Sequence, residues 1–315
     1  MNLSKSSDDA LRNLILEDPE LASKSKEKVI CNLRDLQLKF GGPRTLLAAI
    51  TRPDQIIPEL YKQNWSLHRV CEMINAPLSV FKRSVWLKAE FETQWKQWQE
   101  ERHKVQTKID ENYEKNEGSE RYNKSAIPWT ELIKLRDALP NGSKERLLIS
   151  FYTYIPPARA NYGDLFIFTE KPKDPSLIGE SQNYVVLTKD ENYIALRKYK
   201  TAGTYHENIV HIPKDLLEQI QASLKILPRT HIFVGIDKEP FKSENSFSKF
   251  ASRILEKVTK KPGLTITILR RMFISKKEDP IHEKSWAEKK EIARAMGHDI
   301  SCQQRVYFVK SSHSK

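Results

Sequence analysis

The residues best suited to chemistry lie near the C-terminus of the chain. His298 directly follows Gly297, and Tyr307 lies nine positions after His298. Ser285 and Glu288 have the spacing of a capping box and Gly297 has the place of a helix-ending glycine, so the pattern predicts a helix that presents His298 at its C-terminal end. An imidazole can donate a hydrogen bond or accept a proton, and a phenol can act as a nucleophile. A histidine in that place is unusual for a hydrophobic core and indicates a functional site.

Three basic residues upstream could complete such a site. Arg159 follows a pair of prolines at the end of a mostly apolar run that predicts a buried helix. Lys200 lies in a turn between two predicted strands, and Arg270 lies within an apolar run over 264–275. Each has an ordinary explanation by itself: a structural salt bridge for Arg159, a solvated hairpin lysine for Lys200 and a helix-surface residue for Arg270.

In this order and spacing, the five residues resemble the catalytic set of the tyrosine recombinases, the family of the integrases, Cre and Xer. The form Tyr-Thr-x-x-Pro-Pro-x-Arg-x-x-Tyr over 152–162 is similar to the branch carried by eukaryotic DNA viruses, virophages and related transposons. The resemblance covers 126–310 closely. Asn161 stands where the family usually has an acidic residue. Thr267 and Arg271 stand at the two histidine positions of His-x-x-Arg-His, which makes them secondary candidates for the site.

The resemblance implies a site-specific recombinase or integrase that cleaves and rejoins DNA. Tyr307 would attack the scissile phosphate to give a 3′-phosphotyrosyl link, and Lys200 would protonate the leaving 5′ oxygen. Arg159 and Arg270 would hold the non-bridging oxygens, because guanidinium groups suit phosphate oxygens. His298 would donate to the phosphate or help take the tyrosine proton. The link conserves the bond energy, so neither ATP nor a metal ion is implied, and no cofactor is expected.

Two other functions are kept open. A type IB DNA topoisomerase shares the same catalytic set, and relaxation of a plasmid without any specific site would favour it. A catalytically weak, recombinase-derived DNA-binding or packaging protein is favoured by the departures at Asn161 and Thr267. DNA binding without any covalent adduct would support that second alternative.

Composition favours a phosphate-bearing partner. The 315 residues include 53 Lys and Arg against 41 Asp and Glu, a formal charge of +12. The segment 245–315 has 16 against 7, a net +9. Double-stranded DNA is therefore the expected partner, and the family resemblance implies a dimer to tetramer on it. No apolar run resembles a signal peptide or a membrane span, and the three cysteines show no paired spacing. We expect a cytoplasmic or nuclear protein that is not secreted, without a membrane or metal partner.

The order of patterns predicts an α+β protein that is mostly helical. Residues 1–24 are polar and are predicted to be flexible, and 25–117 are predicted to form a helical DNA-binding domain that resembles the core-binding domain of the family. A linker is predicted over 118–125. Residues 126–315 are predicted to form the catalytic domain, with helices around a small antiparallel sheet.

The predicted elements can be stated by range. Helices are predicted over 26–40, 44–50, 53–63, 66–75, 78–87, 86–117, 129–139, 144–154, 215–226 and 246–259, with the first of these ended by 41–43. Strands are predicted over 184–187, 193–199 and 208–212, with a strand-like segment over 232–236. Candidate contacts to the DNA backbone are Lys88, Lys96, Arg102, Lys104, Lys276 and Lys277. Only eight residues follow Tyr307, too few for a docking helix, so assembly on DNA is expected to use other surfaces.

Overall fold

Helices account for most of the described chain, which comprises residues 8–40, 45–172 and 182–310 of this computed structural model. The chain divides into two units, Met1–Lys115 and Asn116–Lys315, and every described strand belongs to the second unit. The protein is therefore α+β and mostly helical, which confirms the class predicted from the sequence. No helix in the described ranges is long and apolar enough to cross a membrane. The predicted helix stop at 41–43 and the chain after 310 lie outside the described residues.

The first unit contains seven described helices. They are α1 (Asp8–Leu16), α2 (Ser23–Lys39), α3 (Leu46–Ile50), α4 (Pro53–Lys62), α5 (Leu67–Arg83), α6 (Val85–Glu90) and α7 (Glu92–Lys115). Their apolar faces meet in one core around Leu33, Ile74 and Trp98, all fully buried. The indole N–H of Trp98 donates to the carbonyl oxygen of Ile50 at 2.8 Å, so this large side chain is buried without an unpaired polar atom.

Part of the segment predicted to be flexible is an ordered helix. In α1, Leu11 and Ile15 are buried in the core of the unit. The carboxylate of Asp8 accepts hydrogen bonds from the amide of Gln37 at 2.6 Å and from the backbone N–H of Leu46 at 2.7 Å. Two apolar residues four positions apart on one helix face, together with these bonds, tie α1 to the unit.

Two helix boundaries of the first unit also differ from prediction. Helix α5 continues through Pro77, where two separate helices were expected. An internal proline costs a helix about 3 kcal/mol, but the buried side chains of Ile74 and Phe81 on either side of it hold the helix in the core. The single long helix expected over 86–117 is interrupted at Phe91, whose backbone leaves the helical region. The hydroxyl of Ser84 caps the short preceding helix α6.

The second unit contains nine further described helices around a small sheet. They are α8 (Glu120–Ser125), α9 (Trp129–Ala138), α10 (Lys144–Thr153), α11 (Ala202–Tyr205), α12 (Lys214–Ile226), α13 (Glu244–Thr259), α14 (Ile266–Ile274), α15 (Trp286–Ala295) and α16 (Ile300–Cys302), with short 3-10 turns at Ala160–Asp164 and Ile281–Glu283 and a π-helical turn at Gln303–Tyr307. Helix α10 lies at the centre, packed against α9, α12 and α13. Its side chains Leu148, Phe151 and Tyr152 are fully buried.

The predicted linker is a helix of the second unit instead. Ser119 caps α8 by accepting from the backbone N–H of Tyr122 at 3.2 Å. Ser125 donates to the carbonyl oxygen of Pro262 at 2.7 Å, and Arg121 donates to that of Gly263 at 3.3 Å. The polar composition that indicated a linker therefore reflects a short surface helix fixed by long-range hydrogen bonds.

The sheet has four strands in the order β1 (Phe166–Phe168), β2 (Tyr184–Leu187), β3 (Asn192–Leu196) and β4 (Asn208–His211). The strands β2, β3 and β4 are antiparallel and confirm the predicted hairpins. The additional strand β1 pairs with β2 in parallel, so the sheet is mixed and not antiparallel as expected. Three residues are too short a run to show a period of two, which is why the pattern missed β1.

The segment 232–236 is not a strand. Its first residue, Ile232, donates its N–H to the carbonyl oxygen of Leu165 at 2.9 Å, and His231 forms an isolated bridge with Phe166. The chain then turns, since the N–H of Gly235 donates to the carbonyl oxygen of Glu239. Ile232 and Phe233 are buried and Ile236 is exposed, so the apolar run that suggested a strand is a loop that packs against the core at its start.

Candidate active site

Arg159 is positioned by two buried tyrosines that follow from the apolar helix α10 and the turn after it. The hydroxyl of Tyr152 donates to the carbonyl oxygen of Arg159 at 3.0 Å, and the hydroxyl of Tyr162 donates to that of Pro156 at 3.1 Å. Burial raises the pKa of both phenols, so they remain donors at neutral pH. The half-buried side chain of Arg159 reaches across the unit and donates to the carbonyl oxygen of Gly297 at 2.8 Å.

Gly297 ends α15 as the sequence predicted. Both bonds of the capping box between Ser285 and Glu288 are present at the start of that helix. At the end of the helix, the N–H of His298 donates to the carbonyl oxygen of Ala293 at 3.0 Å. Gly297 has φ +69°, in the left-handed region that favours glycine. The helix therefore delivers His298 at its C-terminal end.

The carbonyl oxygen of Gly297 joins three parts of the site. It accepts from Arg159 and also from the hydroxyl of Thr201 at 3.1 Å. Thr201 directly follows Lys200, and Gly297 directly precedes His298. One backbone oxygen thus ties the first arginine, the hairpin turn and the histidine loop together, although these residues are widely separated in sequence.

Arg270 is the most deeply buried charge in the site, with 1% of its surface exposed. From α14 its guanidinium group donates to the carbonyl oxygens of Pro157 at 2.8 Å and Met296 at 3.0 Å. It also donates to Nδ1 of His298 at 2.9 Å. Burial lowers the pKa of Arg270, but a guanidinium group stays protonated in proteins.

His298 is neutral and is oriented by Arg270. Burial, followed by the positive charges of Arg270 and Arg159, lowers the pKa of His298 to about 3. Because a guanidinium group can only donate, Nδ1 is the acceptor and the ring proton lies on Nε2. Within the described residues, Nε2 of His298 and Nε of Arg270 are buried without a hydrogen-bond partner. Both atoms are hydrogen-bond donors.

Tyr307 lies directly against these two groups. Its ring stacks on that of His298, with centroids 4.9 Å apart and an interplanar angle of 18°. The guanidinium carbon of Arg270 lies 4.7 Å from the centroid of the Tyr307 ring. Tyr307 ends the π-helical turn Gln303–Tyr307 and is 7% exposed. The nine-residue interval noted in the sequence therefore brings the phenol and the imidazole into contact.

Lys200 is exposed at the edge of the same group. Burial raises the pKa of the nearby Cys302 thiol, and the positive charge of Lys200 acts on that thiol in the opposite direction, as do Arg159 and Arg270. The positive charges of Lys200, Arg159 and Arg270 therefore all act to lower the pKa of this thiol. Lys200 therefore lies on the same side of the unit as Arg159 and Arg270, with its side chain exposed.

Two buried asparagines hold the chain before Lys200, and sequence analysis missed Asn183 and this role of Asn161. The side-chain oxygen of Asn183 accepts from the N–H groups of Arg197 and Lys198, each at 2.9 Å. The side-chain amides of Asn183 and Asn161 donate to the carbonyl oxygen of Lys198 at 3.1 and 3.2 Å. Asn161 also donates to the carboxylate of Glu244 at 3.3 Å. The amide of Asn161 therefore links the chain before Lys200 to a carboxylate of α13. Isolated asparagines carry no sequence pattern that predicts this.

Thr267 and Arg271 are the two secondary candidates from the sequence. They line a separate depression with Ser119, Ser248 and other residues of the second unit, and none of the five lines it. Lys276 forms an ion pair with Asp279 at 2.9 Å and Lys277 is exposed.

The candidate DNA contacts of the first unit make contacts within that unit. Lys96 pairs with Glu92 at 2.8 Å and Lys104 with Glu101 at 3.6 Å. Arg102 donates to Asn75 at 3.0 Å, and the ammonium of Lys88 lies 3.9 Å from the centroid of the Trp95 ring. Exposed contacts of this kind are weak and exchange readily for a phosphate.

The site is built from cations and neutral donors around a phenol. No group of three or more His, Cys, Asp or Glu side chains in the described part of the chain could hold a metal ion. Two guanidinium groups, one neutral imidazole donor and an exposed ammonium group can bind an anion and stabilise added negative charge on it. The phenol within that set can act as a nucleophile.

Comparison with known proteins finds similarity among solved structures. No protein-family model matches the chain, and no curated protein matches it. Among solved structures it is similar to one titled "Crystal structure of XerA recombinase", with 13% sequence identity and a TM-score of 0.40. The match covers 96% of this chain and 95% of that one.

Proposed function

We propose that the protein is a DNA strand transferase of the tyrosine recombinase kind. The observation that carries this proposal is the contact of the Tyr307 ring with a buried guanidinium group and a neutral imidazole. Arg159 joins the same cluster through the carbonyl oxygen of Gly297. The form over 152–162 supports a viral or mobile-element integrase, acting as a dimer to tetramer on DNA. The basic surface of the first unit would contact the DNA backbone.

The proposed reaction uses the cations to stabilise charge that develops on the phosphate. The pentacoordinate transition state carries more negative charge than the diester, so preorganised donors stabilise it more than the ground state. Arg159 and Arg270 hold the non-bridging oxygens. His298 has Nδ1 occupied by Arg270 and its proton on Nε2, so it acts as a hydrogen-bond donor to the phosphate and not as the base for Tyr307.

The bond changes balance without a further reactant. The phenol of Tyr307 loses its proton to solvent, its oxygen bonds to phosphorus, and the bond to the 5′ oxygen breaks. Lys200 supplies the proton that the leaving 5′ oxygen takes up. Attack by another 5′ hydroxyl reverses these steps and restores the phosphodiester, so this scheme needs no ATP and no metal ion.

A covalent trap tests the proposal. The substrate is nicked half-site DNA taken from the sequence that flanks the gene for this protein. It should become covalently attached to the protein, and the adduct should survive denaturing electrophoresis. Tyr307→Phe should abolish the adduct, because the nucleophilic oxygen is removed while the stacked ring remains. Tyr205→Phe serves as the matched control, since Tyr205 lies near the same hairpin and should not carry the link.

The outcomes separate the functions that the sequence leaves open. An adduct that persists in Tyr307→Phe means that the wrong nucleophile has been assigned. Relaxation of a supercoiled plasmid without any specific site indicates a type IB topoisomerase. DNA binding with no adduct under any condition indicates a recombinase-derived binding protein and contradicts the proposed reaction.

A further inference from the structure

A second cationic depression lies in the Asn116–Lys315 unit beside α14. Its volume is about 380 Å³, and seven of the side chains that line it are polar: Ser119, Arg121, Ser248, Ser252, Thr265, Thr267 and Arg271. We call this surface the serine–arginine depression. None of the five residues grouped around Tyr307 lines it, so it is a distinct feature of the unit.

The chemistry of this lining suits an oxyanion. It offers two guanidinium groups and several hydroxyls, and no carboxylate lines it. Two acidic side chains close in sequence to lining residues have partners elsewhere: Glu120 pairs with Lys124, and Glu256 accepts from the N–H of Gly263 at 2.7 Å. Guanidinium and hydroxyl groups are the side-chain donors that most often contact phosphate oxygens in protein–DNA complexes.

A hydrogen bond orients Arg121, and Arg271 has a buried donor without a partner among the described residues. The Nε group of Arg121 donates to the carbonyl oxygen of Gly263 at 3.3 Å, which fixes its guanidinium group at the rim. Arg271 is half-buried, and its Nε atom is buried with no hydrogen-bond partner in the described ranges. A buried N–H donor without a partner is costly, so a movement of the Arg271 side chain that brings this group to an acceptor would be favoured.

The helix α14 places this depression next to the candidate active site. Each residue of an α-helix turns about 100° around the axis and rises 1.5 Å along it. Seen down the axis, Thr267 is therefore about 60° from Arg270 on one side and about 40° from Arg271 on the other. Thr267 is therefore between the two arginines on the helix surface. Along the helix axis, it is about 4.5 Å from Arg270. One strand of DNA carries a phosphate every ~3.4 Å of its axis, so neighbouring phosphates could reach both places.

We propose that the serine–arginine depression binds a backbone phosphate of DNA adjacent to the phosphate that Arg159 and Arg270 hold. This inference rests on the proposed function and assigns Thr267 and Arg271 a separate role. They do not contact the scissile phosphate. They fix the position of the strand beside it, together with Arg121, and so set where Tyr307 attacks.

Salt dependence of DNA binding gives the first test. Each phosphate contact contributes about 0.9 to the slope of log K against log salt. Arg121→Ala and Arg271→Gln should each reduce that slope by up to about 0.9 and weaken binding of a duplex roughly tenfold at moderate salt. Lys261→Ala is the matched control, because this exposed lysine lies on the same unit and does not line the depression. It should leave the slope unchanged.

Neutral methylphosphonates give the second test and locate the phosphate. They are placed one at a time in the half-site DNA of the covalent trap, where the phosphotyrosyl link fixes the register. The methylphosphonate next to the cleaved position should slow adduct formation by wild-type protein roughly tenfold. With Arg271→Gln, the same methylphosphonate should cause little further slowing, because both changes remove the same contact. Inorganic phosphate, compared with chloride at equal ionic strength, shows whether the depression takes a free anion instead.

Each contrary outcome has a defined meaning. If Arg121→Ala and Arg271→Gln bind DNA with the same affinity and salt slope as Lys261→Ala, the depression holds no DNA phosphate. Binding of inorganic phosphate at the depression without an effect on DNA binding would also overturn the proposal. If Arg271→Gln abolishes the adduct with unchanged DNA affinity, Arg271 belongs to the catalytic group. If wild-type protein forms no adduct at all, the proposed function fails, and the salt slopes still decide whether the depression binds DNA.

Discussion

Basic side chains differ in exposure and in hydrogen-bond partners between α7 of the first unit and the surroundings of Tyr307 in the second. In α7, Lys96 and Lys104 are exposed and pair with glutamates three or four residues away. Around Tyr307, Arg270 is almost completely buried, and its hydrogen bonds go to two carbonyl oxygens and an imidazole. Exposed pairs contribute little to stability, whereas a buried charge without a carboxylate is costly. The buried charge is therefore the one that a function has to explain.

Removal of the arginines should give the largest effect. Arg159→Ala and Arg270→Ala should each lower the rate of adduct formation about 10²–10³-fold, because each removes a preorganised donor to the phosphate. Affinity for DNA should fall far less, since many contacts share the electrostatic term. Rates from the covalent trap and affinities from titration measure the two separately. A parallel loss of both would make these arginines general DNA contacts and remove the contrast with α7.

The buried histidine predicts a dependence of stability on pH. The folded-state pKa of His298 is about 3, below the ordinary value near 6.5, so the unfolded chain binds a proton that the folded chain does not. Its contribution is fully present above pH 6.5 and is lost as the pH falls towards 3. At pH 5 the loss is about 2 kcal/mol.

Denaturant unfolding at pH 7.5 and pH 5 measures this contribution. His298→Gln should flatten the difference between the two pH values, because Gln does not titrate. The exposed His211 offers the control, and His211→Gln should leave the pH dependence as it is in the wild-type protein. An unchanged pH dependence in His298→Gln would show that another group is responsible.

The glycine that presents His298 should give a smaller effect. Gly297→Ala should reduce the free energy of unfolding by about 1–2 kcal/mol, because a side chain in the left-handed region is strained. The added carbon would also lie 3.3 Å from the ring of Tyr199. Gly203→Ala is the matched control, since nothing lies within 4 Å of the added carbon there. Thermal melts of both variants compare them, and equal stability would argue against strain at Gly297.

The smallest effect is expected on the surface of α7. Lys96→Ala removes an exposed pair with Glu92 and should change the free energy of unfolding by less than about 0.5 kcal/mol. Denaturant unfolding can detect a larger change. A loss above about 1 kcal/mol would mean that exposed charge in α7 contributes to the fold, and the comparison with Arg270 would lose its basis.

Local rules predicted the elements that depend on near neighbours in sequence. The capping box at Ser285 and Glu288, the left-handed Gly297 and the strands over 184–187 and 208–211 all depend on a few adjacent side chains and their preferred backbone conformations. The prediction failed where distant packing decides. Helix α5 passes through Pro77 because buried side chains on both sides outweigh the cost of the proline, and no local pattern reports that burial.

The sequence by itself determined the order and types of the chemical groups, including the interval between His298 and Tyr307. Only the tertiary structure decided which groups meet. The carbonyl oxygen of Gly297 accepts hydrogen bonds from Arg159 and Thr201, which come from distant parts of the chain. The short strand β1 pairs with β2 in parallel. Thr267 lies three residues from Arg270 yet lines a different depression. Spacing along a helix sets an angle between side chains, whereas the neighbouring helices decide which surface each side chain faces.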